Sequence, residues 1–223
     1  MADILCIDPA IIAAEEDCVA GLRGMTSLSI SHHLPVLAGF SSLDKAPPPC
    51  GVILLGSKAS PNDESAWQIE LCRRLTTFID QGVPMLGICY GHQILAKIFG
   101  GRVDFWSDFR KRSGLSKVKI FCEPRLNWQA AEGELFMSHR EIVIAVPKNF
   151  NLLAQSAELS IEGLVHQTKP IWTLQAHPEA TTKFCQDRYM AVAADSLRFG
   201  ANFVKAFLGY CENNGRKNIP EIK

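Results

Sequence analysis

The fold of this chain is decided by a stretch that reads VPMLGICYG over residues 83–91. Its apolar first part is typical of a strand buried in a parallel sheet, and residues 90–99 then show helical spacing. Between the two, Gly87 and Gly91 flank Cys89 in the pattern Gly-x-Cys-x-Gly. Small residues at both positions permit a tight strand-to-helix turn that lifts the central side chain above the sheet. The stretch therefore predicts a nucleophile elbow with cysteine in the nucleophile's place.

Strands and helices alternate on both sides of this elbow. Further strands are predicted at Asp3–Ile7 and at residues 26–30, 51–55 and 174–177, and helices at residues 11–22, 63–80 and 187–208. Short strands and turns dominate from residue 103 to residue 165. This alternation predicts an α/β fold with a doubly wound, mostly parallel, flavodoxin-like sheet and helices on both faces. Ligands of such sheets bind at the carboxyl ends of the strands, where Gly56, Cys89 and His177 would all lie.

The size and composition of the chain indicate one folded unit. Its 223 residues are 47% hydrophobic, which is enough for a sizeable core. No linker or repeat divides the chain, so we predict a single domain over residues 1–210 and a polar, flexible tail over residues 211–223. The N-terminus lacks a secretory signal, and no segment reaches transmembrane length. We therefore expect a cytoplasmic protein without a membrane partner.

The charge and cysteine content disfavour several other classes. With 23 basic and 23 acidic residues, the chain has no bulk attraction for nucleic acid, and we expect no such partner. Its densest basic run, Arg-Lys-Arg at residues 110–112, is better explained as a solvated loop than as a phosphate site. The eight cysteines show no Cys-x-x-Cys spacing and are expected to be free thiols, with Cys6, Cys72 and Cys122 buried. We expect no metal and no cofactor.

Cys89 has the surroundings of a reactive thiol. The helix that follows directs its N-terminal dipole and its unpaired amides toward the sulfur, and both favour the thiolate, which is the nucleophilic form. The backbone N–H of Tyr90 would point to the same place and could stabilise an oxyanion. The alternative interpretation is a buried core cysteine whose neighbouring glycines only close a turn.

A cysteine nucleophile needs a base that takes its proton and passes a proton to the leaving group. His177 follows a predicted strand and precedes Pro178, which restricts it to an extended conformation. Glu179 could then fold back onto the imidazole and fix its tautomer, as the third member of a triad does. A His-Pro-Glu string can also be a simple turn. His92 is a second candidate base, although its place on the elbow helix favours packing along that helix.

These motifs together resemble a known family. The string PMLGICYGHQ at residues 84–93, with Gly-Gly at 100–101 and QAHPE at 175–179, is similar to the class I (triad) glutamine amidotransferases, and in particular to the GMP-synthase-like amidotransferase domain. The resemblance extends from about residue 51 to about residue 208. It implies that Cys89 is the nucleophile, His177 the base and acid, and Glu179 the orienting carboxylate. The implied reaction forms a γ-glutamyl thioester from glutamine, which water then hydrolyses to glutamate.

The resemblance also implies a substrate pocket. Gln93 matches a family position that contacts the bound glutamine. Ser138 and His139 match a segment that lines the glutamine pocket through its backbone, although His139 could equally be a surface histidine. Gly56 belongs to the pocket loop, and the backbone N–H of Ser57 falls at the second oxyanion donor.

The sequence departs from the family pattern in three places. The pocket loop reads GSKAS at residues 56–60, where family members usually carry Gly-Gly-Pro-x-Ser or Asn-Gly-Pro-Gly. Arg112 stands before Ser113-Gly114, where the family often has glutamate, so the charge is reversed. The part up to Pro49 resembles the family only loosely.

The family usually passes ammonia to a synthetase, on the same chain or on a partner. We find no Gly-x-x-x-x-Gly-Lys-[Ser/Thr] loop, and few residues follow the last predicted helix. The expected partners are therefore a small-molecule substrate and a separate synthetase subunit. Two alternatives remain: a stand-alone hydrolase of γ-glutamyl amides or peptides, and a regulatory subunit that senses glutamine without catalysis. Cysteine-elbow hydrolases or chaperones of another group are disfavoured, because histidine commonly follows the cysteine there and Tyr90 does here.

Overall fold

The computed structural model describes residues 3–107 and 110–215, and within them nine strands form one sheet. The strands of this sheet are β1 (Asp3–Ile7), β2 (Ser29–His33), β3 (Gly51–Leu54), β4 (Met85–Ile88), β6 (Arg112–Ile120), β7 (Ala131–His139), β9 (Phe150–Ser156), β10 (Gly163–His166) and β11 (Ile171–Leu174). Strands β5 (Arg102–Phe105) and β8 (Glu141–Ala145) pair with each other in a separate ribbon. The helices are α1 (Glu16–Arg23), α2 (Ser41–Asp44), α3 (Ala66–Asp80), α4 (Tyr90–Ile98), α5 (Thr182–Gln186) and α6 (Arg198–Gly215), with 3₁₀ turns at Pro124–Leu126 and Ala194–Leu197.

The sheet has a parallel half and an antiparallel half. Its order is β2-β1-β3-β4-β11-β10-β9-β6-β7. The pairs from β2 to β11 are parallel, and those from β11 to β7 are antiparallel. Strands β3, β4 and β11 are neighbours, so their carboxyl ends lie side by side and bring the segments that follow them to one edge.

Helices cover both faces of the parallel half. Alternate residues of each strand point to opposite faces, and each face packs against its own helices. Ile4 and Ile53 pack with residues of α1 and α6, including Val19 and Phe207. The neighbouring strand residues, represented by Leu5, pack with residues of α3 and α4 on the other face. This two-sided burial explains the continuous apolar runs, and the predicted doubly wound α/β class is confirmed.

Three predicted helices have different bounds in the structure. The one predicted at 63–80 begins at Ala66, after its N-cap Ser65. The first helix of the chain begins at Glu16, not at residue 11, because the Asp8 carboxylate accepts hydrogen bonds from the Ala10 and Glu15 amides and holds the intervening segment as a loop. The helix predicted at 187–208 is interrupted. Tyr189 has φ +62°, which is incompatible with a continuous α-helix, and α6 begins only at Arg198.

The C-terminal helix extends beyond the boundary predicted for the domain. Helix α6 continues to Gly215, and Cys211 within it is buried. Residues 216–223 of the predicted tail lie outside the described residues, so the tail there stays a prediction.

Four smaller predictions also need correction. Strand β2 lies three residues later than the predicted 26–30, and β11 ends at Leu174, so His177 follows the strand at a short distance. Cys122 is exposed and Cys72 is half-buried, whereas both were predicted to be buried. Arg112, predicted in a solvated loop, is buried within β6. The prediction of free thiols agrees with the structure, in which all eight cysteines lie in the described ranges and none forms a disulfide.

None of the helices in the described residues combines the length and the apolar character needed to cross a bilayer.

Candidate active site

Cys89 lies at a strained turn between β4 and α4. Its backbone has φ 52° and ψ −103°, in a region that L-residues rarely occupy. The chain can make this turn only with small neighbours: a Cβ on Gly91 would lie 2.3 Å from the Leu54 carbonyl oxygen, and one on Gly87 would lie 2.7 Å from the Gly91 carbonyl oxygen. The geometry of a nucleophile elbow is therefore present.

His177 and Glu179 meet Cys89 at the same edge of the sheet. The His177 Nδ1 atom lies 2.9 Å from Glu179 Oε1, and both side chains are buried. The His177 amide donates to the carbonyl of Phe136, which fixes the backbone at this point. A Cβ placed on Gly56 would lie 3.0 Å from His177 Cε1 and 3.5 Å from Cys89 Cβ, so His177 and Cys89 both lie close to the space beside Gly56. The structure thus brings all three predicted catalytic residues together.

The electrostatics of the site favour a protonated imidazole. Burial by itself lowers the pKa of His177, but the Glu179 carboxylate and the negative charge of the Cys89 sulfur outweigh it and raise this pKa to about 10. With His177 Nδ1 bound to Glu179, the Nε2 atom remains for Cys89 and for a substrate. The arrangement can hold a proton and deliver it to a leaving group.

Of the two predicted oxyanion donors, Tyr90 directly follows Cys89, and Ser57 lines the same cleft as Cys89. Tyr90 is the first residue of α4, where a backbone N–H has no acceptor within the helix. The side chain of Ser57 stabilises the loop that lacks the usual glycine and proline: its hydroxyl donates to the Pro9 carbonyl at 2.7 Å and accepts from the Ala59 amide at 3.1 Å. This departure from the family pattern therefore has its own local support.

Three further predicted residues line the cleft above Cys89, namely Gln93, Ser138 and His139. The Gln93 amide nitrogen donates to the Glu141 carbonyl at 2.6 Å, so its orientation is fixed within the protein. The Ser138 carbonyl accepts from the Cys89 thiol at 4.0 Å. His139 is buried, and its ring lies beside the Glu141 backbone. Burial, reinforced by the Arg112 charge, lowers the pKa of His139 to about 3, so the ring is neutral.

His92, the rival base, has a packing role. It is fully buried, and its Nδ1 atom lies 2.7 Å from the Thr173 hydroxyl. Burial lowers the pKa of His92 to about 3. His92 does not line the cleft. Its contact with Thr173 holds α4 against β11.

The charge reversal at Arg112 is compensated by a partner that the sequence did not reveal. Arg112 Nη1 lies 2.5 Å from Glu162 Oε1, and Glu162 is fully buried. A second, exposed carboxylate, Glu158, lies 2.8 Å from Nη2. The pair joins β6 to the segment that precedes β10.

The cleft is large, and much of its wall comes from residues that sequence reasoning missed. Its volume is about 890 Å³. Four cations line it (Lys58, Lys111, Arg140 and Arg188), together with the exposed apolar side chains Ile11, Ile12, Phe105 and Tyr189. Lys58 and Lys111 belong to segments that the sequence analysis quotes, the loop at residues 56–60 and the basic run at residues 110–112, and Arg140 follows the predicted pocket residues Ser138 and His139. Arg188 had no such signal.

Comparison with known proteins identifies a family that matches most of the chain. The model of the family described as glutamine amidotransferase class-I matches residues 33–193. Two curated relatives carry the name GMP synthase [glutamine-hydrolyzing]. The relative from Cupriavidus pinatubonensis is 35% identical over 142 residues, which are 60% of this chain and 25% of the relative. The relative from Bordetella parapertussis is 34% identical over 180 residues, which are 77% of this chain and 30% of the relative. The chain thus spans less than a third of these relatives.

Solved structures share the fold. A Thermoplasma acidophilum protein, provisionally described as one subunit of a GMP synthase, superposes with a TM-score of 0.73 at 23% identity, covering 97% of both chains. A glutamine amidotransferase from Thermotoga maritima superposes with a TM-score of 0.70 at 16% identity, covering 96% of this chain and 97% of that one. At these identities the likeness concerns the fold alone.

Proposed function

Because this chain belongs to the class I glutamine amidotransferase family, we propose that it hydrolyses the side-chain amide of glutamine, or of a γ-glutamyl compound, with Cys89 as nucleophile. The observation that carries the proposal is the 2.9 Å His177–Glu179 pair at the Cys89 turn, where a Cβ added to Gly56 would meet both His177 and Cys89. A nucleophile, a base and an orienting carboxylate in this arrangement suit acyl transfer.

In the proposed reaction, the Cys89 thiolate attacks the amide carbon, and the Tyr90 and Ser57 amides stabilise the resulting oxyanion. The carbon–nitrogen bond then breaks, and protonated His177 gives its proton to the leaving nitrogen. A γ-glutamyl thioester and ammonia, or an amine, result. His177 next takes a proton from water, which attacks the thioester. The carbon–sulfur bond breaks to release glutamate and the thiolate. Glu179 holds the imidazole throughout, and Gln93, Ser138 and His139 form the glutamyl pocket.

The destination of the ammonia is a second part of the proposal. The curated relatives are named as GMP synthases, and a Thermotoga maritima structure is described as PurLQS. By analogy, residues 1–210 form a glutaminase unit that serves a separate synthetase subunit. The volume of the cleft favours a second candidate, a stand-alone hydrolase of γ-glutamyl amides or peptides. A non-catalytic sensor is the remaining alternative.

The test is the release of glutamate from glutamine by the purified chain, beside Cys89→Ala and Cys122→Ala. We expect loss of at least about a thousandfold in kcat for Cys89→Ala. The Cys122 variant should keep full activity, because this exposed thiol does not line the cleft. Turnover that persists in folded Cys89→Ala would refute the assignment of the nucleophile. Glutamate formed only from γ-glutamyl amides other than glutamine would favour the stand-alone hydrolase.

A further inference from the structure

The imidazole of His177 is held by a second side chain besides Glu179. The ring of buried Phe184, in α5, lies against it, with the two ring centres 4.8 Å apart and the ring planes tilted by 45°. The hydrogen bond between Nδ1 and Glu179 fixes one atom of the imidazole. It leaves the ring able to tilt about that atom, since the second side-chain torsion of histidine has a broad energy profile. Contact with Phe184 restricts this tilt.

Phe184 is itself fixed by its neighbours. The guanidinium carbon of Arg188 lies 3.3 Å from the centre of the Phe184 ring and so covers one face of it. Arg188 Nη1 also donates to the Phe184 carbonyl at 3.1 Å, which ties the same side chain to the backbone of α5. The ring of Phe136 meets Phe184 nearly edge-on, with the ring centres 5.9 Å apart. The Phe184 ring therefore has little freedom to move away from His177.

Arg188 is anchored to a part of the chain that is distant in sequence. Its Nη2 atom lies 2.5 Å from Oε1 of Glu15, the residue directly before α1. Both side chains are half-buried, so water and salt screen this ion pair less than a pair on the open surface. A second contact joins the same two segments, because the Thr181 hydroxyl donates to the Asp17 carboxylate. The start of α1 is thus connected, through Arg188, to the ring that contacts the catalytic base.

An aromatic ring suits this place for a chemical reason. The Phe184 side chain has no hydrogen-bonding atom, so it does not compete with Glu179 for Nδ1 of His177 or with Cys89 and a substrate for Nε2. It supplies a rigid surface and leaves both nitrogens to their partners. Side chains that lock a catalytic group by packing in this way hold it within the narrow range of productive positions.

We propose that Phe184 is a positioning residue for His177, and that Arg188, held by Glu15, keeps the Phe184 ring in place. This inference rests on the proposed amide hydrolysis and adds the residues that set the orientation of its base. A catalytic group misplaced by about 1 Å can cost about a hundredfold in rate. A loosened Phe184 ring therefore lowers kcat, whereas the glutamyl pocket, which is built from other residues, binds the substrate as before.

The first test is the split between kcat and KM for glutamate release from glutamine. We expect kcat to fall by about 10- to 100-fold in Phe184→Leu and by about tenfold in Arg188→Met, with KM changed less than about twofold. Lys183→Met, an exposed cation on the same helix and outside the cleft, is the matched control and should keep both constants. Unchanged kcat in folded Phe184→Leu would overturn the proposal, as would a rise in KM at constant kcat, which would assign Phe184 to the substrate pocket.

The anchor is tested with Glu15→Gln. Arg188→Met removes a positive charge and Glu15→Gln a negative one, so an effect of charge alone would move kcat in opposite directions. Loss of the anchor lowers kcat in both, and the double variant should lose no more than Arg188→Met alone, because the two residues act in one chain of contacts. Opposite effects, or losses that add in the double variant, would overturn the role of Glu15 and Arg188. Both residues are half-buried, so this comparison also serves if Phe184→Leu does not fold.

A readout without turnover separates failure of this proposal from failure of the proposed function. Alkylation of Cys89 and of exposed Cys122 by iodoacetamide at neutral pH is measured by mass spectrometry. A correctly placed imidazolium favours the thiolate, so the Cys89-to-Cys122 rate ratio should fall about tenfold in Phe184→Leu and stay constant in Lys183→Met. If the wild type hydrolyses no substrate but the ratio falls as expected, hydrolysis is refuted and the positioning role stands. An unchanged or higher ratio in Phe184→Leu would overturn the positioning role, whatever the turnover.

Discussion

Gly56 lies against the two side chains that must exchange a proton, and this makes it a sensitive position. In Gly56→Ala, the new Cβ would approach His177 Cε1 to 3.0 Å, so the imidazole must shift by a few tenths of an ångström. We expect kcat/KM to fall about 10- to 100-fold with little change in melting temperature, because misplaced catalytic groups cost rate more than stability. Steady-state kinetics and thermal unfolding of the same preparation check this.

The matched control is Gly209→Ala in α6, where a Cβ meets nothing within 4 Å. Its activity should equal that of the wild type, and α6 should gain up to about 1 kcal/mol from the better helix former. Unchanged kcat/KM in well-folded Gly56→Ala would show that the Cys89–His177 spacing does not limit the reaction.

The charge of Glu179 sets the pH range in which His177 keeps its proton. The pKa of His177 is raised to about 10, so the imidazolium needed by the leaving group is present below that pH and is lost as the pH rises through it. Glu179→Gln removes the negative charge that raises the pKa of His177, so the alkaline limb of the kcat/KM profile should move to lower pH. The loss of rate should be smaller than in His177→Ala, where proton transfer itself is removed.

A pH profile of kcat/KM measures this shift. Glu132→Gln, an exposed carboxylate on β7 outside the cleft, is the control and should keep the wild-type profile. An alkaline limb that stays in place in Glu179→Gln would mean that another group, not His177, controls it.

At the residue scale, chemistry that depends on residue type and order could be predicted. Cys89, His177 and Glu179 stand in motifs whose turn residues and charges carry the signal, and the structure places them together. Arg188 carries no such signal. It reaches the cleft only because separate loops converge, and an isolated surface cation has no distinguishing pattern in the sequence.

At the scale of elements, β6 is joined to the segment before β10 by a buried ion pair. In Arg112→Met, the carboxylate of fully buried Glu162 would keep the Ser156 hydroxyl as its one hydrogen-bond partner among the described residues. We expect the free energy of unfolding to fall by about 3–5 kcal/mol, because an uncompensated charge stays buried. The double variant Arg112→Met with Glu162→Gln should lose less than the sum of the single changes.

Urea denaturation of the four proteins of this cycle provides the measurement. Lys117→Met on the same strand is the control: its pair with Glu132 is exposed, and its removal should change stability little. Additive losses in the cycle would show that Arg112 and Glu162 contribute independently.

The bounds of elements were harder to predict than their existence. The elbow strand and helix have short-range causes, namely an apolar run and two glycines in close contact. The start of α1 depends instead on the carboxylate of Asp8, and the break before α6 on a positive φ at Tyr189. Apolar spacing does not encode either feature, so the predicted helices at 11–22 and 187–208 had the wrong bounds.

At the scale of the whole molecule, the parallel half of the sheet could be predicted, because each βα unit carries its own signals. The way in which the antiparallel half returns to the catalytic residues could not be predicted. β7 is the last strand in the sheet order, yet Phe136 within it bridges to His177, and its Ser138 carbonyl faces Cys89. This return depends on long-range pairing for which the sequence has no local pattern. It completes the wall of the cleft opposite the elbow.

The folded unit continues beyond residue 210, because helix α6 extends to Gly215. The sequence predicts a domain that stops at residue 210, whereas Cys211 is fully buried in the core beside β3, and a Cβ on Gly51 would lie 2.5 Å from its sulfur. Asn214 also donates to the Tyr210 carbonyl at 2.8 Å. We therefore expect a chain ending at residue 210 to be less stable than one ending at residue 215 by about 1–2 kcal/mol, from lost apolar burial and the cavity left behind. Urea denaturation of the two truncated chains, with glutamate release as a check on the site, makes the comparison. Equal stability would place the boundary at residue 210 and make the last turn of α6 dispensable.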